Sequence, residues 1–472
     1  MSSSDKALGR REASALYRSE AKIHAREVSG TFTRLRKTAA WVLLGIFYLL
    51  PWLNWGERQA VLFDLPARKF YLFGLTLWPQ DFIFLALLLI IAALSLFFFT
   101  ALAGRLWCGF ACPQTVWTEA FVWMEQITEG KFSKRKKLDK APWTTDKFLR
   151  KGAKQVLWIT FAALTGLTFV GYFTPIEVLV SKLASFSLGP WETFWVVFYG
   201  FATYGKAGFM REQVCKYMCP YARFQSAMFD RDTLIITYDE KRGEPRGHRR
   251  RQSDPRAQGL GDCIDCTLCV QVCPTGIDIR KGLQYECIAC AACIDACDQV
   301  MDKVGYDRGL IRYSTEHALQ GEATKVLRPR VIVYGVLLTV LLGALGTAVV
   351  TRTPLSLDVV RDRNALYREL PNGSVENSYQ LKIINKDSES HRYRITVSGL
   401  EGVTLIEPRG EIELTGGERR SVPASVVVPA ESAAGIGDLS FAVEAVDAPD
   451  IARERRARFI GPFATGGGTG GG

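Results

Sequence analysis

Five long apolar blocks, separated by polar and charged segments, are the feature that most limits how this chain can fold. Each block approaches or reaches the roughly 20 residues that a bilayer-spanning helix needs. Because blocks of this length with aromatic ends are hard to bury inside a water-soluble protein, we predict five transmembrane helices. The blocks are Thr38 to Trp55, Pro79 to Ala103, Gln155 to Phe173, Trp191 to Phe209 and Val331 to Val350.

The basic residues predict the orientation of these helices. Met1–Lys37 holds nine Lys and Arg residues and Gly104–Lys154 holds eleven, whereas Asn54–Trp78 holds three and Thr174–Pro190 holds one. The positive-inside rule therefore places the N-terminus in the cytoplasm and, after five crossings, the C-terminus outside. Since the polar leader is 37 residues long, we expect the first helix to stay as an anchor rather than to be cleaved as a signal peptide.

The net charge of +11 does not indicate a nucleic-acid-binding protein, because the basic residues lie between the apolar blocks, where they orient membrane helices. The twelve cysteines support the topology independently of charge, since all of them fall in segments predicted to face the reducing cytoplasm. We therefore expect metal or redox chemistry rather than disulfide bonds.

Several cofactors are excluded by the residues available. The four histidines, His24, His248, His317 and His391, lie outside the apolar blocks, so no pair can clamp a haem iron inside the membrane. No G-x-G-x-x-G signature follows a predicted strand and no P-loop is present, so we expect no NAD, FAD or ATP site. Electrons must come from another protein or from a membrane quinol.

The most specific chemical pattern is a duplicated cysteine run between the fourth and fifth blocks. Each run reads C-x2-C-x2-C-x3-C, the two-cluster ferredoxin pattern, in which the fourth cysteine ligates the other cluster. Zinc sites usually pair two C-x2-C units across a longer spacer, so zinc is disfavoured. Pro274 follows the first run, and Asp298 replaces the proline expected after the second. We predict one [4Fe-4S] cluster on Cys263, Cys266, Cys269 and Cys297, and another on Cys287, Cys290, Cys293 and Cys273.

Two C-x3-C-P motifs follow the second and fourth blocks. One contains Cys108 and Cys112 before Pro113, and the other contains Cys215 and Cys219 before Pro220. If these segments are helical, a four-residue separation puts both thiols of a motif on one face. The prolines suggest instead that Cys112 and Cys219 cap new helices, a position that lowers a thiol pKa and favours the reactive thiolate. The alternative is a kinked membrane helix with small buried thiols.

The match between the two motifs extends to the helices that carry them. One helix opens with Pro79 and Asp81 and the other with Pro190 and Glu192. The first four helices are therefore interpreted as two hairpins repeated in parallel, a symmetry that can bring corresponding sites together. The cysteines Cys108, Cys112, Cys215 and Cys219 could then form one thiolate site for Cu(I), with Met218 and Met210 as possible thioether ligands, although each Met is more typical of packing.

The remaining segments complete the domain assignment. Alternating strands such as Tyr379–Ile384 and Tyr393–Val397, with turns at Asn372-Gly373 and Gly416-Gly417, predict an immunoglobulin-like sandwich of about seven strands outside the membrane. We expect it to dock a partner. The predicted domains are a basic cytoplasmic leader (1–37), four transmembrane helices with both C-x3-C-P motifs (38–230), a basic linker (231–260), a two-cluster ferredoxin-like α+β domain (261–330), a fifth transmembrane helix (331–350), a periplasmic all-β immunoglobulin-like domain (351–463) and a Gly-rich tail (464–472).

Together these motifs resemble the FixG/CcoG/RdxA family, accessory proteins for assembly of cbb-type cytochrome c oxidase. The resemblance covers the five spans, both C-x3-C-P motifs, the ferredoxin run and a C-terminal sandwich that contains Asn377-Ser378-Tyr379-Gln380-Leu381-Lys382. It implies an inner-membrane Cu(II) reductase, facing the cytoplasm, that supplies Cu(I) to the oxidase, with the C-x3-C-P cysteines important for the copper step. The implied partners are a copper chaperone or transporter and oxidase assembly factors.

Two other function classes fit the same residues. The chain could be a quinol-linked electron-transfer subunit, since related membrane ferredoxins share C-x3-C-P motifs, or a non-enzymatic assembly scaffold with structural clusters. The electron donor, whether a reductase, a ferredoxin or quinol, is left open by the sequence, as is a homodimer. The predicted cofactors are two [4Fe-4S] clusters, and the copper-reductase hypothesis adds copper as a substrate or transient ligand.

Overall fold

The structure, a computed structural model, describes residues 23–249, 259–362, 365–387 and 389–462. The first 22 residues of the predicted leader, part of the predicted basic linker and the predicted Gly-rich tail lie outside the described residues. The chain divides into two compact units, which we describe separately. The first contains the described residues of Met1–Asp64 and Leu87–Leu341, and the second those of Leu65–Ala86 and Leu342–Gly472.

The helices are given in chain order. They are α1 (Thr31–Leu49), α2 (Phe82–Ala103), α3 (Leu106–Phe110), α4 (Pro113–Glu129), α5 (Phe132–Lys140), α6 (Thr145–Val170), α7 (Ile176–Ala184), α8 (Pro190–Thr203), α9 (Pro220–Ala227), α10 (Glu240–Gly243), α11 (Leu268–Gln271), α12 (Ala292–Val304), α13 (Glu316–Gln320) and α14 (Pro329–Val350). Two π-helical segments, Tyr204–Met210 and Val214–Met218, lie between α8 and α9.

The strands are mostly short before residue 350 and longer after it. They are β1 (Asn54–Trp55), β2 (Arg58–Gln59), β3 (Val61–Asp64), β4 (Lys69–Leu72), β5 (Leu75–Leu77), β6 (Ile235–Tyr238), β7 (Ile311–Ser314), β8 (Leu355–Arg361), β9 (Arg368–Glu369), β10 (Val375–Asn385), β11 (His391–Ser398), β12 (Thr404–Glu407), β13 (Ile412–Leu414), β14 (Arg419–Val428), β15 (Ile436–Ala445) and β16 (Ala452–Ile460).

Within the described residues, α2, α6 and α14 are long and apolar enough to cross a membrane. The other two predicted spans differ from expectation. Helix α1 begins with a basic turn that contains Arg34 and Arg36, which shortens its apolar part. Helix α8 ends at Thr203 and continues as the π-helical segment Tyr204–Met210. Three spanning helices are therefore supported, and the count of five stays a prediction.

Close helix packing in the first unit depends on small residues. A Cβ atom added to Gly166 of α6 would lie 2.3 Å from the carbonyl oxygen of Val196 and 2.9 Å from the amide nitrogen of Gly200 on α8. Glycines that allow backbones to approach this closely are typical of helix pairs in membranes. The contact packs α8, which precedes the second C-x3-C-P motif, closely against α6.

The ferredoxin-like part of the first unit begins earlier in the chain than predicted. Strand β6 pairs antiparallel with β7, so that Ile235 lies opposite Ser314 and Tyr238 opposite Ile311. The boundary predicted at residue 261 is therefore wrong. Residues 235–238 belong to this sheet rather than to a structureless linker, because their β-branched side chains pack against the core of the cluster region, where Ile236 is buried.

The second unit is dominated by a β-sandwich, as predicted. One sheet has the order β12-β14-β10-β8, with β9 also paired to β10, and the other has the order β13-β11-β15-β16. The predicted strands at Tyr379 and Tyr393 lie within β10 and β11, and both rings are buried between the sheets. Gly373 and Gly417 adopt φ values of 82° and 72°, as turns of this kind require.

The buried carboxylate of Asp81 connects the segment before α2 to residues that follow α14 in the second unit. Asp81 accepts hydrogen bonds from Arg352 and Lys386, each at 2.8 Å, and caps the start of α2 through the amide of Trp78 at 3.1 Å. Glu192 caps α8 in the same way through the amide of Gly189 at 2.8 Å. The predicted correspondence between the starts of these two helices is therefore confirmed.

Candidate functional site

The two predicted sets of four cysteines line two separate small cavities in the first unit. Each set takes three residues from one run and the fourth from the other, so the runs cross as the ferredoxin pattern requires. Cys269 lines both cavities. The first cavity is lined by Cys263, Cys266, Cys269 and Cys297, and the second by Cys273, Cys287, Cys290 and Cys293.

The backbone of both runs turns in the same unusual way. Asp265 and Thr267 in the first run, and Ala289 and Ala291 in the second, have φ values between 53° and 59°. A residue other than glycine in this region costs roughly 1–2 kcal/mol, so the surrounding structure must hold it there. Turns of this kind point successive amide groups inward and form the anion-binding concavities typical of iron–sulfur sites. The loops therefore fit a cluster with a net negative charge.

The thiols of these cavities are chemically suited to a metal cluster. Burial raises the pKa of Cys269, Cys287 and Cys297 to about 12 in each case. The amide of Ala289 donates to the Cys287 thiol and partly opposes this effect. A buried thiol with a raised pKa keeps its proton until a cation replaces it. The cavities thus fit cysteine-bound iron better than free thiolates.

The two runs end differently. In the first run, α11 ends at Gln271, before Cys273, and Pro274 follows that cysteine. In the second run, Cys297 lies inside α12, which continues to Val304. Asp298 replaces the proline after Cys297 and accepts a hydrogen bond from the amide of Gly309 at 2.9 Å. The second run therefore replaces the proline turn with a continuous helix, and Cys297 still reaches the first cavity.

Helix α1 docks directly on the second run. Asp295, between Cys293 and Cys297, accepts hydrogen bonds from the amides of Phe32 and Thr33 at 3.2 and 2.7 Å and thereby caps α1. A Cβ atom on Gly30 would lie 2.3 Å from the Asp295 carboxylate, which requires glycine there. One turn further along α1, the charge of Arg36 acts on Cys290 and lowers the pKa of its thiol, although burial has the larger effect and raises it.

The C-x3-C-P motifs form caps rather than one continuous helical face. Cys112 precedes α4 and Cys219 precedes α9, both in extended conformation, with Pro113 and Pro220 in the first helical turn. The predicted caps are confirmed. The condition for placing both thiols of a motif on one helix face, a continuous α-helix through both cysteines, is not met, because α3 ends before Cys112 and the segment that carries Cys215 is π-helical.

The expectation of a lowered thiol pKa is also wrong for Cys112. Burial raises its pKa and outweighs the amides of Gln114 and Thr115, which lower it. Burial likewise raises the pKa of Cys108 to about 12 and that of Cys215 to about 11. The amides at the helix terminus lower the pKa of the nearby thiol, whereas burial by the surrounding elements raises it by a larger amount.

We call Cys108, Cys112, Cys215 and Cys219 the thiol site. The structure brings these four residues near one another, since the charge of each thiolate acts on others of the set. Among the described residues, no three His, Cys, Asp or Glu side chains are arranged to hold a single metal ion. Met218, the predicted thioether ligand, has half of its surface exposed, and Met210 ends the other π-helical segment.

The thiol site lies directly against the second cysteine run. A Cβ atom on Gly109 would lie 2.8 Å from the carbonyl oxygens of both Ile288 and Ala289, so the backbones of the two motifs touch. Cys108 packs in the same apolar cluster as Ile288 and Cys290. Its thiol donates to the buried side chain of Gln225 at 3.2 Å.

Arg105 links the two sites electrostatically. Its guanidinium is buried and donates to the carbonyl oxygens of Tyr285 and Cys287, the latter at 3.4 Å. Its charge lowers the pKa of Cys108 and Cys215, although burial dominates both. The sequence does not single out Arg105 and Arg36, because basic residues beside apolar blocks are interpreted first as signals of membrane orientation. The signal that could have found Arg105 is its position three residues before Cys108.

Three family models match this chain. One described as a 4Fe-4S dicluster domain covers residues 210–316, and one described as a 4Fe-4S binding domain covers residues 85–137. A third, described as an IG-like fold at the C-terminus of FixG, covers residues 345–462. These matches confirm the iron–sulfur prediction and the immunoglobulin-like C-terminal domain.

Full-length relatives match nearly the whole chain. The nitrogen fixation protein FixG of Rhizobium meliloti is 39% identical over 443 residues, which cover 86% of this chain and 84% of that protein. Protein RdxA of Cereibacter sphaeroides is 42% identical over 408 residues, 82% of this chain and 84% of that protein. A crystal structure of a FixG-related protein from Vibrio parahaemolyticus, 30% identical, covers 23% of this chain and 98% of its own, with a TM-score of 0.21.

Proposed function

Because the chain belongs to the FixG/RdxA family of iron–sulfur proteins, we propose that it is a membrane-bound electron-transfer protein that reduces Cu(II) to Cu(I). The copper is a substrate, destined for cbb-type cytochrome c oxidase during assembly. This role follows from the family resemblance together with a thiol site placed beside a predicted cluster. Cuprous ion prefers thiolate carriers, whereas cupric ion must first gain one electron.

The first part of the proposal is the ligation of the two clusters. Cys263, Cys266, Cys269 and Cys297 hold one [4Fe-4S] cluster, and Cys287, Cys290, Cys293 and Cys273 hold the other. The cavities that these sets line and the repeated inward turns of the backbone support this assignment. When bound, such clusters accept and donate single electrons. The loops of this chain bury the cysteines and direct amides toward them.

The observation that carries the copper step is the contact between Gly109 and the backbone of Ile288 and Ala289. It joins the first C-x3-C-P motif to the loop between Cys287 and Cys290, so that an electron has a continuous packed route to Cys108. Arg105 lies on the same route, since it bonds to the Cys287 carbonyl and acts on the Cys108 and Cys215 thiols. The thiols bind copper, and Gln225 orients Cys108.

The proposal places the protein in the bacterial inner membrane. The N-terminus, both cluster loops and the thiol site face the cytoplasm, and the immunoglobulin-like domain faces the periplasm. This topology requires all five predicted spans, α1 and α8 included, since three crossings alone would separate Cys108 and Cys112 from the N-terminus. The three apolar helices support membrane insertion, and the charge of the loops supports the orientation. Copper then meets its reductant in the compartment where thiols stay reduced.

Single-turnover copper reduction tests the proposal. Anaerobically purified full-length protein is reduced with dithionite, desalted and mixed with Cu(II), while cupric EPR and cluster absorbance are followed together. We expect cupric signal to disappear as the clusters oxidise, with one Cu(II) lost per electron. Cys108→Ser/Cys112→Ser and Cys215→Ser/Cys219→Ser variants should keep their clusters and slow copper reduction strongly. Unchanged rates in both double variants would reject the thiol site.

Iron content separates this proposal from a specific alternative. Residues 85–137 match a 4Fe-4S binding domain but contain only two cysteines, Cys108 and Cys112. Four thiolates would be needed, so Cys215 and Cys219 would have to complete a third cluster. The copper proposal predicts about eight irons per chain, because two clusters carry four each. About twelve irons in the unmodified protein, falling to about eight when Cys108, Cys112, Cys215 and Cys219 are all changed to Ser, would instead indicate a third cluster at the thiol site.

A further inference from the structure

A large cavity opens among α1, α4 and α6 in the first unit. Its volume is about 850 Å³, within the range of about 300–1,000 Å³ that accommodates drug-sized ligands. Most of the wall is apolar and comes from helices of the membrane layer, with Trp41 and Leu44 on α1 and Phe161 and Leu164 on α6. A long hydrophobic molecule would be desolvated along most of its length here.

The other end of the cavity is polar and adjoins both redox sites. Cys290 of the second run and Cys215 of the thiol site line it. Arg36, whose charge acts on Cys290, lies 3.5 Å from the Glu119 carboxylate, and Glu212 also lines the cavity. The basic residues Arg26, Lys37, Arg135 and Arg211 also line the cavity, and Arg135 and Arg211 are paired with the buried Glu125. The cavity therefore combines an apolar body with carboxylates and several cations, of which Arg36 acts on Cys290.

We propose that this cavity binds a membrane quinol, with the ring at the Arg36–Glu119 end and the isoprenoid tail along Leu44 and Leu164. A phospholipid would occupy the apolar wall and pair its phosphate with basic residues of the lining, but it is redox-inactive and would make no use of the adjoining Cys290 and Cys215. A soluble reductant would not need the apolar wall. A lipophilic carrier of two electrons and two protons uses both features.

The inference rests on the proposed function in one respect, since the two clusters are its electron acceptors. The quinol loses two electrons and two protons and leaves as quinone, and no bond forms to the protein. When bound, the two clusters would supply two one-electron acceptors for the two electrons of one quinol. The two protons pass to carboxylates that line the cavity, Glu119 and Glu212.

Photolabelling tests binding without relying on activity. Full-length protein in phosphatidylcholine nanodiscs is irradiated with a photoreactive azidoquinone, and the labelled peptides are identified by mass spectrometry. We expect label on α1, α4 and α6, displaced by excess decylubiquinone. Leu164→Trp should weaken labelling about tenfold, equivalent to about 1.4 kcal/mol, because the indole fills the cavity. Leu337→Trp is the matched control, since Leu164 and Leu337 are 47% and 45% exposed and only Leu164 lines the cavity.

Cluster reduction gives a second readout. Decylubiquinol, added anaerobically to oxidised protein, should bleach the cluster absorbance in the unmodified chain and in Leu337→Trp, and much more slowly in Leu164→Trp. Dithionite should reduce all three proteins equally, which shows that their clusters are intact. Because displacement by decylubiquinone needs no variant, the test survives a poorly folded Leu164→Trp protein.

Some outcomes overturn the inference. Label that falls outside the residues lining the cavity, or that excess decylubiquinone does not displace, removes the quinol site. Stoichiometric phospholipid that decylubiquinone cannot displace from the cavity removes it as well. The proposed function fails separately. If quinone labels the cavity as expected but dithionite-reduced protein does not reduce Cu(II), copper reduction is rejected and the quinol site stands.

Discussion

The two cysteine runs share a spacing and a backbone conformation but differ in what touches them. Both turn through left-handed residues at equivalent positions, Asp265 and Thr267 in one and Ala289 and Ala291 in the other. Only the second run is also contacted by Arg36 of α1, by Arg105 and by the backbone at Gly109. The first run packs instead within the ferredoxin-like core, around Ile279 and Met301.

This difference separates what the repeat supplies from what the rest of the chain adds. The repeat supplies two equivalent cradles. Both cavities have a cation near one cysteine, since Arg280 acts on Cys269 and Arg36 acts on Cys290. The contact at Gly109, from outside the repeat, also gives the second run a packed route to Cys108. We infer that the second cluster exchanges electrons with the thiol site, and that the first cluster supplies electrons to the second.

Removing one cluster at a time gives the largest expected effect. In Cys287→Ser the second cluster is lost, so dithionite-reduced protein should reduce Cu(II) about 100-fold more slowly, a barrier increase of about 2.7 kcal/mol. In Cys263→Ser the first cluster is lost, yet the remaining cluster still adjoins Cys108. Stopped-flow EPR of cupric loss, with iron analysis of each variant, measures the comparison.

Crossed ligation makes this comparison sharper. Cys273 belongs to the first run but lines the second cavity, so Cys273→Ser should behave like Cys287→Ser and not like Cys263→Ser. Equal slowing in all three variants would show that the clusters act as one unit. Slowing in Cys263→Ser alone would reverse the order that we infer.

Thiol reactivity tests whether Cys108 is buried against the second run. Its pKa of about 12 and the value of about 11 for Cys215 lie well above the reference value of about 8.5 for cysteine. At pH 8 we expect iodoacetamide to alkylate Cys108 at least about 100-fold more slowly than a free cysteine, because only the thiolate reacts.

The sign of the pH dependence follows from these values. Because both pKa values exceed the working pH, the thiolate fraction rises about tenfold per pH unit, up to about pH 11 for Cys215 and about pH 12 for Cys108. Mass spectrometry of copper-free, cluster-loaded protein gives both rates at once. Fast, pH-independent alkylation of Cys108 would mean that its thiolate is stabilised, contrary to its burial beside Ile288.

Crowding the contact at Gly109 should have an intermediate effect. Gly109→Ala places a methyl group against two carbonyl oxygens, and overpacking of this kind typically costs about 1–3 kcal/mol. We expect a lower unfolding temperature and roughly tenfold slower copper reduction, with iron content unchanged. Gly152→Ala is the control, since a methyl group at Gly152 of α6 would have no heavy atom within 4 Å.

Spacing and local chemistry were enough to predict much of this site. The crossed cysteine sets follow from the ferredoxin spacing alone, and the caps at Cys112 and Cys219 follow from the prolines behind them. The strands at Tyr379 and Tyr393 follow from simple alternation. In each case the deciding interaction lies within a few residues of the motif or repeats along the chain.

What could not be predicted depends on contacts between distant residues. Strand Ile235–Tyr238 was assigned to a linker because its partner, Ile311–Ser314, is distant in sequence. The pKa of Cys112 was predicted from its helix terminus, whereas burial by other elements sets the direction. Arg36 and Arg105 resemble orientation signals until the fold places them against Cys290 and Cys287.

The smallest effect expected is on the potential of one cluster. Arg36→Gln removes a cation whose charge acts on Cys290, so the reduced, more negative form of the second cluster loses stabilisation. Its midpoint potential should fall by roughly 60 mV, a tenfold change in a one-electron equilibrium, while that of the first cluster stays within error. Anaerobic titration followed by EPR resolves the two. Arg34→Gln, on the exposed side of the same helix, is the control, and equal shifts in both clusters would show that the two runs share one electrostatic environment despite their different neighbours.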